Sequence, residues 1–486
     1  MLKPMPYVEI ASFLQGLEER YPVAEWRIAG IHIWPLLRIE IAVNLRRLNY
    51  IGSFAPTRKA TFKAGSLIHS IWRDREHEAC ISRRVDIALF GISSGKTRIT
   101  GQYYNQYIDP LRLFLEDNHI SSIHVERDKS GDPGLPRFAS SVILSYPLMR
   151  PVFWLIKRSI RMHGVNAQLV GLDRLRAELS AYLDKDDFLL PASQIWKFEK
   201  LVAYKIFYTM FLRLIRPRIV ILQCFYSSDS MAISWACRSL SIPCFDYQHG
   251  VQGASHYAYS AWCNIPFDGY ELFPTGFLTW DEGSTLQLKQ WVGRNVSVYT
   301  IGNLWHEAFD NFRQDFAESL NELGKQAMGR IIVLYTMQDF LPPSWIVATI
   351  RNTPSVFWCI RMHPQYKTVK EPFVEAIGAA KNFEIDVSTI LPLPSLLRMA
   401  DIHVTGSSSV VREAEIYGVH SIVTDQIGIT YYSDSIRGGL ASFALDESEL
   451  RRIILERGGK DQHGMNPQEY PDRSRFVAEA KAAIRT

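Results

Sequence analysis

Apolar and polar residues alternate along this chain in two rhythms, and the change between them falls near residue 85. Upstream, "VEIASFLQGLEERY" and "IWPLLRIEIAVNLRRLNY" space their apolar residues three and four apart, so residues 5 to about 80 read as mostly helical. From Val85 short apolar runs alternate with helical patterns. "VDIALFGI", "ISSIHVER", "RPRIVILQCF" and "IPCFDYQ" read as strands. "IDPLRLFLED", with Pro110 in its first turn, "RPVFWLIKRSIRM", "PASQIWKFEKLVAYKIFYTMFLRLI" and "SDSMAISWACRSLS" read as helices between them. After about residue 275 the alternation restarts. "GRIIVLYT", "SVFWCIRMH", "DIHVTG" and "HSIVTD" are strands, separated by the helices "PPSWIVATIRN", "LPSLLRMA" and "SSVVREAEIYG".

Such alternation predicts parallel sheets covered by helices on both faces. The expected architecture is α/β, with two Rossmann-like doubly wound domains behind a helical N-terminal extension. The expected boundaries are 1–80 for the extension, 81–275 and 276–465 for the two domains, and 466–486 for a helix crossing back onto the first. A length of 486 residues fits this count, since one core rarely grows so large.

Composition narrows the function classes. Apolar content of 47% and charged content of 21% belong to a globular protein. Lys and Arg number 54 against 50 Asp and Glu, and a net charge of +4 gives no argument for nucleic-acid binding. Six cysteines without a CxxC pair read as buried free thiols in a reducing compartment. Neither a signal-peptide pattern nor an uninterrupted apolar span is visible, which leads to a cytoplasmic expectation. The sequon at Asn295 reads as a buried strand position.

Ligands of open α/β sheets bind beyond the carboxyl ends of the strands, so polar residues directly after apolar runs are the candidates. In "IPCFDYQHGVQGASHYAY", Asp246, Gln248, His249 and Gly250 follow a strand, and a His there suits proton transfer. In "FWCIRMHPQY", Arg361 and His363 aim two donors at one anion, with Pro364 holding the turn. In "DIHVTGSSSVVREAEIYG", Ser407, Ser408 and Ser409 open a helix whose N–H groups suit phosphate, and Glu413 lies one turn on, within reach of a ribose diol. The fourth candidate is "FGISSGKTRITG", which resembles a phosphate-binding P-loop. Only three residues separate Gly91 from Gly95, where the motif needs four, so it is read instead as an acceptor-side loop offering Lys96 and Arg98.

Together these stretches, with "FPTGFLTWDEG" and "VYTIGNLWHEAF", resemble the two-Rossmann-domain (GT-B) glycosyltransferases that build bacterial capsule and lipopolysaccharide. The His-Pro and Ser-Ser-x4-Glu elements are similar to those of the CMP-Kdo and CMP-nonulosonate transferases and, more distantly, of the CDP-glycerol polymerases. The resemblance covers roughly residues 85 to 430. It implies that His363, Pro364, Ser407, Ser408 and Glu413 bind the donor nucleotide, while Gln248, His249 and Gly250 face the reacting sugar. It implies no metal and no cofactor beyond a nucleotide-sugar co-substrate, with CMP as the nucleotide. Ser421 stands where many retaining relatives carry a second Glu eight positions after the first. Asp246 or His249 is the expected proton acceptor or, in a retaining enzyme, a carboxylate is the nucleophile, with Asp86, Asp229 and Asp246 as the alternatives and Asp246 the choice. A glycan or lipid-linked acceptor is the expected partner. The basic, aromatic stretch "RPVFWLIKRSIRMHG" suits contact with the inner face of a membrane. Two other activities fit the same pattern: a UDP-sugar 2-epimerase, or a sugar-binding assembly subunit without chemistry.

Overall fold

A computed structural model describes residues 5–48, 85–92, 96–99, 101–128, 138–139, 141–145, 153–156, 158, 167–183, 187–338, 341–363, 366, 369–458 and 471–485. Its contacts divide the chain into two units, Met1–Trp305 with Pro471–Thr486, and His306–Tyr470.

The first unit is built on seven strands: β1 Ile87–Ile92, β2 Ser122–Asp128, β3 Ser141–Ser145, β4 Ile219–Gln223, β5 Cys244–Tyr247, β6 Gly276–Thr279 and β7 Ser297–Thr300. They lie in the order β3-β2-β1-β4-β5-β6-β7, every pair parallel. Side chains on a strand alternate between faces. Ala88, Phe90, Val220 and Leu222 therefore enter one core, and Ile87, Leu89, Ile219 and Ile221 the other. Both faces are apolar because both are covered, which is why these strands read as unbroken hydrophobic runs.

The N-terminal helices Tyr7–Arg20 and Trp34–Leu48 are part of this unit. Ile10, Leu14, Trp34 and Leu37 join the same core as Phe90 and Val220, so the expected separate extension is corrected at least through residue 48. Residues 49–84 lie outside the described residues. The first unit also runs on to Trp305 rather than ending at 275, because β6 and β7 extend its sheet. Those strands, "GFLT" and "SVYT", carry only two apolar residues each, too few for a periodicity reading to find. At the other end of the chain, the helix Ser474–Arg485 places Phe476 against Phe245 and Tyr299 of the first sheet.

The second unit has six parallel strands: β8 Ile331–Thr336, β9 Val356–Arg361, β10 Phe383–Glu384, β11 Ile402–Thr405, β12 His420–Val423 and β13 Ala441–Phe443. Their order is β10-β9-β8-β11-β12-β13. Both sheets thus begin 3-2-1-4-5-6, the doubly wound Rossmann order, with a switch point beside the first strand. These points lie between β1 and β4 in the first unit and between β8 and β11 in the second.

Two local expectations are settled by the same description. A P-loop runs from strand to helix, but Lys96 opens a hairpin, Lys96–Ile99 paired with Gln102–Asn105, and the helix Ile108–Asp117 comes only afterwards. Asn295 is exposed in the turn before β7, not buried in a strand. Of the stretch "RPVFWLIKRSIRM", residues 153–156 and 158 are described, and they are helical. Among the described residues no helix is long and apolar enough to cross a membrane.

Candidate functional site

In the second unit the carboxyl ends of the central strands are stapled by threonines. Thr405 Oγ1 donates to the Thr336 carbonyl at 2.9 Å, and Thr424 Oγ1 to the Thr405 carbonyl at 3.0 Å. The chain then turns at Gly406, where a Cβ would collide with Asp425 Oδ2 and come within 2.7 Å of Gln338 Oε1. A larger residue there would have to push aside the ends of the Asp425 and Gln338 side chains, which close over the turn. Gln338 Oε1 accepts from the Ser407 N–H at 2.6 Å, so that N–H is already used. The N–H groups of Ser408 and Ser409 carry no hydrogen bond among the described residues, and Tyr432 holds the turn by donating to the Ser408 carbonyl at 2.6 Å. The helix that follows, Val410–Ile416, is only two turns long.

Glu413 sits on that helix. Its Oε2 meets His306 Nε2 at 2.9 Å, and His306 Nδ1 meets the Tyr417 hydroxyl at 2.9 Å. Arg361, at the end of β9, donates to the Ser388 carbonyl at 3.0 Å and to that of Leu391. Burial lowers its pKa to about 10, opposed by the negative charge of Glu413. His363 is exposed at the end of β9, and its carbonyl accepts from Tyr366 N–H at 2.8 Å. Pro364 lies outside the described residues.

The first unit differs at its switch point. Arg127, fully buried on β2, donates to the carbonyls of Gly91 (3.3 Å) and Gln223 (2.9 Å) at the ends of β1 and β4. Its charge is met by Asp229 at 3.1 Å. The crevice that would hold a nucleotide is therefore filled by a guanidinium and its partners. Lys96 is engaged too, its Nζ lying 2.5 Å from Glu126 Oε1, with both side chains largely buried. Arg98 is exposed, its guanidinium 5.2 Å from the centre of the Tyr103 ring.

One strand over, at the end of β5, the candidate residues divide into braces and poised groups. Gln248 is a brace: its Oε1 accepts from Trp280 N–H at 2.7 Å, and its Nε2 donates to the Gly250 carbonyl at 2.9 Å. A Cβ on Gly250 would meet nothing within 4 Å, so no close approach demands glycine there. Asp246 is wholly buried and accepts from the Tyr259 hydroxyl at 2.7 Å. Burial lifts its carboxyl to about 8, against the pull of Tyr259, the N–H groups of Phe225 and Cys224, and Arg127. His249 is half-buried, with Nε2 3.3 Å from the Tyr226 hydroxyl, and desolvation drops it to about 4. Asp246 Oδ1, His249 Nδ1, Gln252 Oε1 and Trp280 Nε1 are buried without a well-formed hydrogen bond, all near the ends of β5 and β6. Native structures rarely leave so many such groups together.

The comparisons bear on this architecture. A UDP-GlcNAc 2-epimerase from Methanocaldococcus jannaschii is 13% identical over 82% of this chain and 99% of its own, with a TM-score of 0.51. Another UDP-N-acetylglucosamine 2-epimerase is 14% identical, covering 82% of this chain and 95% of that one, with a TM-score of 0.50. The fold is GT-B. The wall teichoic acid polymerase TagF is 12% identical over 87% and 94% of the two chains, with a TM-score of 0.41. No protein-family model and no curated protein matches the chain.

Within this GT-B fold several candidate residues had no motif to announce them. Gln338 and Tyr432 come from segments distant in sequence, and Arg127 and Glu126 sit inside a strand, whereas His306 and Tyr417 lie within the stretches "VYTIGNLWHEAF" and "SSVVREAEIYG". Of the first four, only Arg127 and Glu126 gave any signal, through their charge within an apolar run.

Proposed function

We propose that the protein is a glycosyltransferase that moves a sugar from a nucleotide-activated donor on the second unit to a glycan or lipid-linked acceptor on the first. The observation that carries this reading is the asymmetry of the two switch points. The second offers unbonded N–H groups at Ser408 and Ser409, while Arg127 fills the first. Donor phosphate would meet the serine turn, with Arg361 and His363 supplying positive charge. The ribose would meet Glu413, whose Oε2 is held by His306 while no hydrogen bond to Oε1 is seen among the described residues.

On the acceptor side, His249 is the better proton acceptor. It is neutral at pH 7 and partly exposed, whereas Asp246 is wholly buried and its carboxyl is raised to about 8, and is read as a positioning group acting through Tyr259. Lys96 does not serve an anionic acceptor in this reading, because Glu126 already neutralises it. A lipid-linked acceptor would bring the protein to a membrane surface. Trp154 and Leu155 (each 60% exposed), Met210 (52%) and Leu214 (60%) support that contact, with Arg158 beside the Trp154 ring. Salt-sensitive sedimentation with anionic vesicles is the expected behaviour, and no binding at low salt would remove the membrane part of the proposal.

A second reading is a UDP-sugar 2-epimerase, the activity named for the two 2-epimerase structures described above. It needs a nucleotide site but no acceptor. Thermal shifts with CMP, CDP, UDP, GDP and ADP test the donor half, since a ligand at 100 times its Kd stabilises by about 2.7 kcal/mol. A selective CMP response supports transfer of an acidic sugar such as Kdo. A UDP response directs the assay to UDP-GlcNAc, with and without acceptor, and silence from all five overturns the donor site.

A further inference from the structure

At the edge of the first sheet opposite His249, around the starts of β6 and β7, lies a cavity of about 680 Å³. Such a volume is typical of small-molecule sites. Two indoles form its fixed wall. Trp262 Nε1 donates to the Ala258 carbonyl at 3.1 Å and Trp291 Nε1 to that of Tyr259 at 2.8 Å. Trp262 is almost wholly buried, with the Arg38 guanidinium 4.1 Å over its ring, so Trp291 is the more open of the two. The rings stand 5.9 Å apart, and Phe273 packs edge-on to Trp262 at 4.8 Å.

The rim is polar on one side and aromatic on the other. Phe267 is 96% exposed, thrust outward by a tight turn in which Gly269 N–H donates to the Pro266 carbonyl at 2.7 Å. Its ring stands at the mouth of the cavity. Arg238 holds the Asp268 carbonyl at 2.8 Å, but its Nε is buried with no partner. Arg294 and Asn295 are exposed on the facing turn.

We propose that this cavity binds a saccharide carrying an acidic substituent, at a site separate from the reaction centre. An aliphatic chain would desolvate Arg238 and the amides without replacing their partners. A bare anion would leave the aromatic wall unused. A sugar offers C–H faces to the Trp291 and Phe267 rings and hydroxyls that both donate to and accept from the Asn295 amide. The excess of Arg238 and Arg294 over Asp268 selects a carboxylate on that sugar. The proposal is independent of the transfer reading, because it concerns binding without any nucleotide.

Saturation-transfer NMR on the full chain tests it, using a tetrasaccharide of alternating glucuronate and N-acetylglucosamine, and neutral cellotetraose for comparison. Transfer to the acidic tetrasaccharide is expected, with Kd at least tenfold weaker in Phe267→Ala and in Arg294→Glu. Both positions are exposed, so neither change disturbs the core. Absence of transfer overturns the site, as does transfer that both variants leave unchanged. Equal or stronger binding of cellotetraose overturns the acidic preference, and displacement by UMP overturns the saccharide assignment. The nucleotide thermal shifts, repeated on both variants, report the donor site separately.

Discussion

Asp246 and His249 lie three residues apart, and burial pushes them in opposite directions, the acid up to about 8 and the base down to about 4. Both are neutral at pH 7 for one reason: a low-dielectric surrounding penalises whichever form is charged. The consequences for stability have opposite signs. The unfolded Asp releases its proton near 3.9, so between about pH 4 and 8 each rise in pH favours unfolding. His249 acts on the acid side, where the unfolded imidazole gains a proton below 6.5 and acidification toward 4 favours unfolding. Asp246→Asn should therefore gain stability relative to wild type as pH rises from 5 to 8. Urea midpoints at the two pH values measure this, and a constant difference would show that Asp246 is ionised when folded. Residues paired inside the protein behave differently. Asp229→Ala strands the buried Arg127 charge and should cost about 3–5 kcal/mol in the same assay.

Among the elements, the two turns at the end of the second sheet depend on each other. A Cβ on Gly428 would run into the Gly406 carbonyl oxygen, and one on Gly406 into the carboxylate of Asp425. Asp425 in turn caps the helix Gln426–Tyr431 by accepting from Gly428 N–H at 2.6 Å. The serine turn is thus held from the next strand over as well as by its own residues. Gly428→Ala should lower stability by about 1–3 kcal/mol, since backbone cannot move aside as a side chain can. It should also weaken any nucleotide response, because the serine turn shifts with it. A variant as stable and as responsive as wild type would show that the two turns are not packed together.

For the whole molecule, the chain order and the unit order differ. The helix Ser474–Arg485 belongs with the first unit although the second unit precedes it in the chain, so the first unit is assembled from two separate segments. Phe476 is 2% exposed against Phe245 and Tyr299, and Phe476→Ala should cost the first unit about 3–5 kcal/mol. Residues 306–470 have cores of their own, around Val333 and Trp358 on one face and Leu334 and Phe357 on the other. Expressed alone, that segment should melt cooperatively, whereas residues 1–305 without the last helix should be destabilised. A non-cooperative melt of 306–470 would show that its cores need the rest of the chain.

The sequence by itself determined the class of fold and most of its elements, because buried parallel strands and the helices over them leave strong patterns of contiguous and three-to-four spacing. "IDPLRLFLED" and "PASQIWKFEKLVAYKIFYTMFLRLI" are helices over their full lengths, with proline in the first turn of each. It also marked the strand ends where polar chemistry collects, among them the serine turn and Glu413. β6 and β7 escaped notice, since "GFLT" and "SVYT" hold only two apolar residues each, whereas the equally short β11 and β12 stand in clearer apolar runs. What only the tertiary structure decided is which of the marked groups are already engaged. Lys96 and Gln248 look like ligand-binding residues in one dimension, yet Glu126 and Trp280, brought in from other strands, engage both. Charge and hydrogen bonding act through space over a few ångströms, and partners 30 residues apart leave no local trace of one another.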